Sequence, residues 1–318
     1  MKEQTISKKA FIFPGQGSQF VGMAKDLYDD STAVRELYAT ANDILGFDLA
    51  NICFNGPEDD LRQTRVTQPA VFVHSAALSL YIKETNLSPD AVAGHSLGEY
   101  SALHQAQSFS FEDGLRLVKR RAELMQKAGE SNPGTMAAIV GLDSTTLADV
   151  CAEASSAGVV SVANFNSPVQ IVISGAVAAV ENAMQICTER GAKRVVPLVV
   201  GGAFHSSLMQ FAFDGLSDAV KVATINKARV PVYANVTSEP VTAPEDIKRL
   251  LVEQLTSPVR WVEIMTNMIR DGITEFYEVG PGSVLTGLLR RISRDVTGKA
   301  LNSLEGIRAM QSAPESAL

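Results

Sequence analysis

The sequence predicts an α/β protein in which a parallel sheet flanked by helices is interrupted by a smaller antiparallel unit. Three observations carry this. Short apolar runs that fit strands buried on both faces, at 10–13, 91–93 and 273–279, alternate with segments of helical apolar spacing. Gly94-His95-Ser96-Leu97-Gly98 joins the second run to a helix in the G-x-S-x-G pattern of a nucleophile elbow, which makes the core α/β-hydrolase-like. Between about 132 and 198 the element order changes to βαββαβ, that of a ferredoxin-like unit. The expected organisation is a large α/β-hydrolase-like catalytic subdomain from 1–131 and 199–318, with a small ferredoxin-like subdomain inserted at 132–198.

Each element follows from local signals. The first strand ends at Pro14, and Gly15-Gln16-Gly17-Ser18-Gln19 forms a turn. Its spacing matches neither G-x-G-x-x-G nor G-x-x-x-x-G-K-[ST], so it reads as a turn bringing backbone N–H groups toward a reaction centre. Residues 32–46 and 58–63 read as surface helices. Gln68-Pro69-Ala70 opens a long apolar helix through Tyr81, since proline suits a first helical turn, and His74 within it reads as a buried structural histidine. Ser110-Phe111-Glu112-Asp113 resembles a capping box and starts a helix to about Lys127 that carries Arg120-Arg121. In the small unit, strands at 134–142, 159–164, 169–174 and 194–200 alternate with helices at 144–154 and 177–190. Gly201-Gly202-Ala203-Phe204-His205-Ser206 lies where the chain returns to the main body, before a helix from Ser207 to about Val222. A strand at 230–234, helices at 245–256 and 259–270, and the strand at 273–279 follow. The last of these ends in Gly280-Pro281-Gly282 and a helix through about Ile292. The tail after Gly306 is small and polar, with disorder expected at its end.

Composition narrows the function. At 318 residues, 46% hydrophobic and 20% charged, the chain is an ordinary globular protein. A net charge of −7 argues against a nucleic-acid partner held by general electrostatics. Cys53, Cys151 and Cys187 are isolated, with no C-x-x-C pair, which argues against a zinc site or disulfide framework and fits a reducing compartment. No apolar run approaches the roughly 20 residues of a membrane span, and the N-terminus lacks the apolar region of a signal peptide. The expectation is a cytoplasmic monomer with no metal, cofactor, nucleic-acid or membrane partner.

A serine hydroxyl is a poor nucleophile at neutral pH and needs a base within hydrogen-bond reach. Of the four histidines, His95 adjoins Ser96 on a sharp elbow, where neighbouring side chains diverge, and His104 is carried away by two helical turns. His205 lies in a glycine-flanked loop at the junction of the two units, so Ser96 and His205 are the expected nucleophile and base. No acidic residue between them has a distinctive loop context, so a backbone carbonyl orienting the imidazole, and hence a dyad, is the alternative to a triad. The N–H of Leu97, directly after the nucleophile, and that of Gln16 in the first turn are the candidate oxyanion donors.

Eight stretches then occur in order: Pro14–Gln19 (PGQGSQ), Gln68-Pro69-Ala70, Gly94–Tyr100 (GHSLGEY), Arg121–Gln126 (RAELMQ), Asn164–Pro168 (NFNSP), Gly202–Ser206 (GAFHS), Gln254–Trp261 (QLTSPVRW) and Glu278–Gly282 (EVGPG). Together, over about residues 9–303, they resemble the malonyl-CoA:acyl carrier protein transacylases of fatty-acid synthesis and the related polyketide acyltransferases. The resemblance implies a ping-pong transfer through a malonyl-Ser96 ester with His205 as base, between malonyl-CoA and acyl carrier protein. It implies that the backbone carbonyl of Gln254 orients His205 and that Arg121 holds the malonyl carboxylate, a planar fork matching a carboxylate bidentately. It also implies that Met125, Asn164 and Phe204 line the substrate pocket, with Phe204 filling the space an α-methyl group would need.

The chain departs from the pattern at His104-Gln105-Ala106-Gln107, read as a more polar helix face, and at Gly201, where serine is common. A trans-acting acyltransferase of a polyketide synthase would share every residue named. A serine thioesterase or other hydrolase also needs an elbow and a histidine, but a buried arginine beside an apolar acyl chain would carry an uncompensated desolvation cost. A non-catalytic carrier-protein docking module would have no use for Ser96, His205 and Arg121 together. Carrier proteins of this type are acidic, and Lys193-Arg194 and Arg290-Arg291-Arg294 are candidate basic contacts for one.

Overall fold

The computed structural model describes residues 7–312. Its strands are β1 (Lys8–Phe13), β2 (Ala91–Gly94), β3 (Gly134–Val140), β4 (Val160–Ser167), β5 (Gln170–Ala176), β6 (Arg194–Pro197), β7 (Val232–Tyr233), β8 (Pro240–Val241), β9 (Ile273–Val279) and β10 (Thr297–Leu301). They form two sheets. One has the order β10-β9-β1-β2-β7-β8 and is parallel except for the β7–β8 pair. The other, β4-β5-β3-β6, is antiparallel throughout, the strand order of a ferredoxin-like βαββαβ unit.

Alternation along β1 shows why its strand must be apolar on both sides. Phe11 and Phe13 enter the large core with the helices Thr64–Ile82 and Phe111–Ser131. Ala10 and Ile12 enter a second core on the opposite face, with Trp261, Ile264, Met268 and Leu289. The small sheet alternates in the same way. Ala137, Ile139 and Ile173 pack under the helices Ser144–Ala154 and Val177–Glu189. Met136, Ala138 and Val172 face the other way and join the core of the large sheet. The small unit therefore turns one apolar face toward the ends of the parallel strands.

A second link ties the two sheets. β4 shifts register between Val162 and Asn164, and there Val259 N–H donates to Ala163 O (2.8 Å) while Phe165 N–H donates to Val259 O (2.9 Å). This places Asn164 against Val259, in the segment that follows the helix Pro244–Glu253.

Three local features depart from the sequence expectations. The long helix begins at Thr64, not Gln68, so Pro69 sits in its interior. Proline removes one backbone hydrogen bond there, but nearly every residue from Thr64 to Ser79 is buried, and that packing outweighs the loss. The strand expected at 230–234 is only Val232–Tyr233, because the chain turns back at once into β8. The polar tail after Gly306 continues a helix, Leu304–Ser312, and the segment before it forms β10, a strand at the sheet edge outside the sequence expectations. The expected terminal disorder falls on 313–318, outside the described residues.

Several elements follow their local chemistry closely. Ser110 Oγ accepts the N–H of Asp113 (3.1 Å) and caps the helix Phe111–Ser131. Glu278, at the end of β9, reaches over the Gly280-Pro281-Gly282 turn. Its carboxylate accepts the N–H groups of Leu285 (2.9 Å) and Thr286 (2.7 Å), capping the helix Val284–Ile292.

Candidate active site

The loops after β1, β2 and β7 meet at the carboxyl edge of the parallel sheet, where open α/β sheets place ligands. The tightest is the elbow. A Cβ on Gly94 would lie 1.9 Å from the backbone of Gly98, and one on Gly98 would lie 2.0 Å from Phe13 O, so both positions need glycine. Between them Ser96 is held at φ 51°, a conformation serine rarely adopts. Asn235, fully buried just beyond β7, locks that conformation. Its Oδ1 accepts Ser96 N–H (2.7 Å) and its Nδ2 donates to Gly94 O (2.7 Å).

His205, also at positive φ (59°), brings its Nε2 to 2.8 Å from Ser96 Oγ. Its Nδ1 lies 2.9 Å from Gln254 O and 3.1 Å from Ser257 O. Both carbonyls can only accept, so Nδ1 carries the proton and Nε2 is left as the acceptor for the serine hydroxyl. The imidazole is 4% exposed. Burial pushes its pKa down to about 3, Arg121 and His95 add to the fall, and the carbonyls of Gln254 and Ser257 oppose it. A base so depressed stays neutral, and ready to accept, across the neutral range.

With Ser96 N–H taken by Asn235 and Gly98 N–H donating to His95 O (2.9 Å), Leu97 N–H is the unengaged donor at the start of the helix Gly98–Gln105. Leu97 and Gln16 both line the cavity above Ser96, and among the described residues neither backbone N–H has an acceptor.

Arg121 is 1% exposed. One of its terminal nitrogens donates to Gln68 Oε1 (2.7 Å), and the other to both Gln254 Oε1 (2.8 Å) and Ser96 Oγ (3.0 Å). Its Nε and the hydroxyl of Tyr100, whose ring lies 5.5 Å from the guanidinium carbon, have no well-formed hydrogen bond among the described residues. A buried guanidinium facing only amide and hydroxyl oxygens is a receptor for an anion.

These groups surround a cavity of about 160 Å³. Ser96, His205, Gln16, Leu97, Arg121, Met125, Asn164 and Phe204 all line it, while Gln254 stands behind the wall, fully buried. Met136, Asn164 and Val172 come from the small sheet, so that unit forms one wall. His95 turns away from the serine hydroxyl. Its ring packs 5.5 Å from that of Trp261 and its Nε2 lies 2.8 Å from Asn166 Oδ1. His104 lies against Phe72 and Phe111 and faces Phe109 O at 3.4 Å, away from the cavity. The described residues contain no cluster of three or more histidine, cysteine or acidic side chains that could hold a metal, and no helix long and apolar enough to cross a membrane.

Sequence reasoning missed Asn235, Ser257, the supporting amide of Gln68 and the buried carboxylate of Glu99. Glu99 and Gln68 lie inside quoted motifs, and their polar character within apolar segments was a usable signal. Ser257 also lies inside a quoted motif but acts through its backbone carbonyl, which its side chain does not signal. Asn235 sits in an unremarkable turn, and only the fold brings the two near His205 and Ser96.

The described geometry has close counterparts. The model of the acyl transferase domain family matches residues 10–313. The malonyl CoA-acyl carrier protein transacylase of Bacillus subtilis is 43% identical over 303 residues, covering 95% of this chain and 96% of that protein. The crystal structure of an acyl carrier protein S-malonyltransferase from Vibrio cholerae superposes with a TM-score of 0.91 at 43% identity, covering 96% of this chain and 100% of the other. A type II PKS acyl-carrier protein in complex with its malonyl-transacylase matches with a TM-score of 0.93 at 39% identity, covering 96% of this chain and 99% of the other. With a nucleophile elbow, a carbonyl-oriented histidine and a buried arginine on one cavity, the chain belongs to the acyltransferase family, among the malonyl CoA–acyl carrier protein transacylases.

Proposed function

We propose that this acyltransferase moves malonyl from coenzyme A to the phosphopantetheine thiol of an acyl carrier protein through a malonyl-Ser96 ester, in fatty-acid synthesis. The observation that carries the reading is the placement of Ser96 Oγ, 2.8 Å from His205 Nε2 and 3.0 Å from Arg121. One hydroxyl thus meets both a base and a fixed cation. His205 Nε2 takes the hydroxyl proton as Ser96 Oγ attacks the thioester carbonyl. The oxyanion falls to the N–H groups of Gln16 and Leu97, each worth roughly 3–4 kcal/mol in such sites. Collapse expels the coenzyme A thiolate, which takes the proton from His205. In the second half His205 deprotonates the carrier thiol, which attacks the ester, and the departing Ser96 oxygen takes that proton back from His205. Arg121 pairs with the malonyl carboxylate throughout, and an acetyl group would leave that cation unpaired. Met125, Asn164 and Phe204 bound the acyl pocket, and the small unit at 132–198 serves as one of its walls beside the catalytic unit of 1–131 and 199–318.

A second cavity of about 170 Å³, lined by Gln16, His95, Asn166, Val284 and Leu288 among others, shares its first three residues with the active-site cavity. It supports a path for the phosphopantetheine arm past the helix Val284–Ile292, which carries the exposed Arg290 and Arg291 toward an acidic carrier. The enzyme works as a cytoplasmic monomer without metal or cofactor. The likeness to the type II PKS pair supports a second reading, a trans-acting acyltransferase loading polyketide carrier proteins.

The test is intact-protein mass after brief mixing with malonyl-CoA or acetyl-CoA. Wild type gains a malonyl group, Ser96→Ala gains none, and Arg121→Ala loses its preference for malonyl over acetyl. A wild type that takes up no acyl group, or hydrolyses malonyl-CoA rapidly without carrier, returns the reading to a thioesterase. Comparing fatty-acid and polyketide carrier proteins as acceptors separates the two pathways.

A further inference from the structure

Glu99 lies three residues after the nucleophile and is 3% exposed, yet no step above uses it. Its Oε2 accepts from Gln254 Nε2 (2.6 Å) and from the backbone N–H of Asn235 (3.2 Å). The same Gln254 amide donates to Ser96 O (3.0 Å), and its Oε1 accepts from Arg121 (2.8 Å). Both N–H groups and the oxygen of the Gln254 side chain are therefore engaged, and its direction matters. An amide turned over would present its NH₂ to the guanidinium, donor against donor, and its oxygen to the carboxylate, acceptor against acceptor.

We propose that Glu99 is a positioning residue for acyl selectivity: through the side-chain amide of Gln254 it holds Arg121 in the orientation that receives the malonyl carboxylate. A carboxyl oxygen that accepts two hydrogen bonds leaves Gln254 only one way to face. Glu99 also sets a buried carboxyl one amide away from a buried cation, and among the described residues no carboxyl hydrogen-bonds Arg121 directly. Burial raises the Glu99 carboxyl to about 7, with Gln254, Asn235 and Arg121 opposing the rise, which is the behaviour of an acid held in place by amides and a distant cation. The acceptor oxygen works in either protonation state.

The inference rests on the malonyl-transfer reading, and wild type tells the two apart, since a wild type that loads no malonyl fails that reading itself. The experiment is single-turnover acylation with malonyl-CoA and acetyl-CoA for wild type, Glu99→Leu and Glu99→Gln, each with Arg121 present and as Arg121→Ala. Glu99→Leu lowers malonyl loading by about tenfold or more, the usual cost of a lost hydrogen bond in a charged network, and leaves acetyl loading within about threefold. Glu99→Gln keeps an acceptor oxygen and restores most of the malonyl preference. In the Arg121→Ala background Glu99→Leu adds no further loss of selectivity, because the effect runs through Arg121. If Glu99→Leu does not fold, Glu99→Asp takes its place, since it keeps a carboxyl at the site and draws it back by one methylene from the Gln254 amide. Equal slowing of both donors, failure of Glu99→Gln to restore selectivity, or a selectivity loss that persists without Arg121 would each overturn the proposal.

Discussion

Arg121 donates a hydrogen bond to the Oγ of Ser96 at 3.0 Å, so the buried cation of the cavity touches the serine hydroxyl itself. The same charge helps hold the His205 pKa down. Removing it makes a protonated imidazole less unfavourable, and the His205 pKa must rise. In Arg121→Ala the acid limb of kcat/KM against pH, measured with acetyl-CoA, therefore moves to higher pH than in wild type. Malonyl transfer in the same variant falls by roughly a hundredfold, the scale of about 3 kcal/mol for one partner of a buried charge pair. Unmoved acid limbs would separate Arg121 from the base.

Asn235 predicts a different signature. Asn235→Ala leaves Ser96 N–H and Gly94 O unpaired at the elbow, at about 1–3 kcal/mol for each buried group. Thermal unfolding should show the loss. Acylation by malonyl-CoA and acetyl-CoA should slow together, because the change moves the nucleophile and not the carboxylate receptor.

The glycines divide sharply. Gly98→Ala drives a methyl to 2.0 Å from Phe13 O, where backbone must shift, and is expected to cost about 3 kcal/mol or more. Gly201→Ser meets nothing closer than Thr64 Oγ1 at 3.6 Å and should stay within about 0.5 kcal/mol of wild type. Denaturant titration of the two variants checks both.

His74 gives the stability curve its acid side. It is fully buried, has no well-formed hydrogen bond among the described residues, and burial lowers its pKa from the ordinary 6.5 to about 4. The unfolded chain binds a proton near 6.5 and the folded chain does not until about 4, so this histidine's contribution is intact above 6.5 and is lost as pH falls toward 4. The loss is on the order of 2 kcal/mol by pH 5. His74→Leu should flatten the unfolding free energy between those pH values relative to wild type.

The basic helix predicts a kinetic split. Charge reversal at Arg290 and Arg291, both exposed, should raise the KM for carrier protein and leave acylation by malonyl-CoA unchanged. An unaltered carrier KM removes this helix from the docking surface.

What the sequence made legible was what lies close together in the chain. The elbow is written in five consecutive residues, the cap of the arginine helix in four, and the βαββαβ order in the alternation of apolar runs. Distance in the chain hid the rest. Ser257 and Asn235 act through a backbone carbonyl and an amide whose value depends on a neighbour more than fifty residues away in the chain, Ser257 on His205 and Asn235 on Ser96. Local spacing does not tell Arg121 from the neighbouring Arg120; the resemblance singles it out, and it is buried while Arg120 is not. β10 was invisible because an edge strand with one wet face carries only part of the apolar signal.

The two sheets divide the labour of the cavity. The elbow and the first turn are rooted in the parallel sheet, where a single methyl at Gly94 or Gly98 collides with backbone. Met136, Asn164 and Val172 come from three neighbouring strands of the other sheet, which fold around their own helices. Exchanges at those three positions change the cavity from its small-sheet wall, while the turn that holds Ser96 stays rooted in the other sheet. The size of the cavity and the position of the serine are thus set by different sheets.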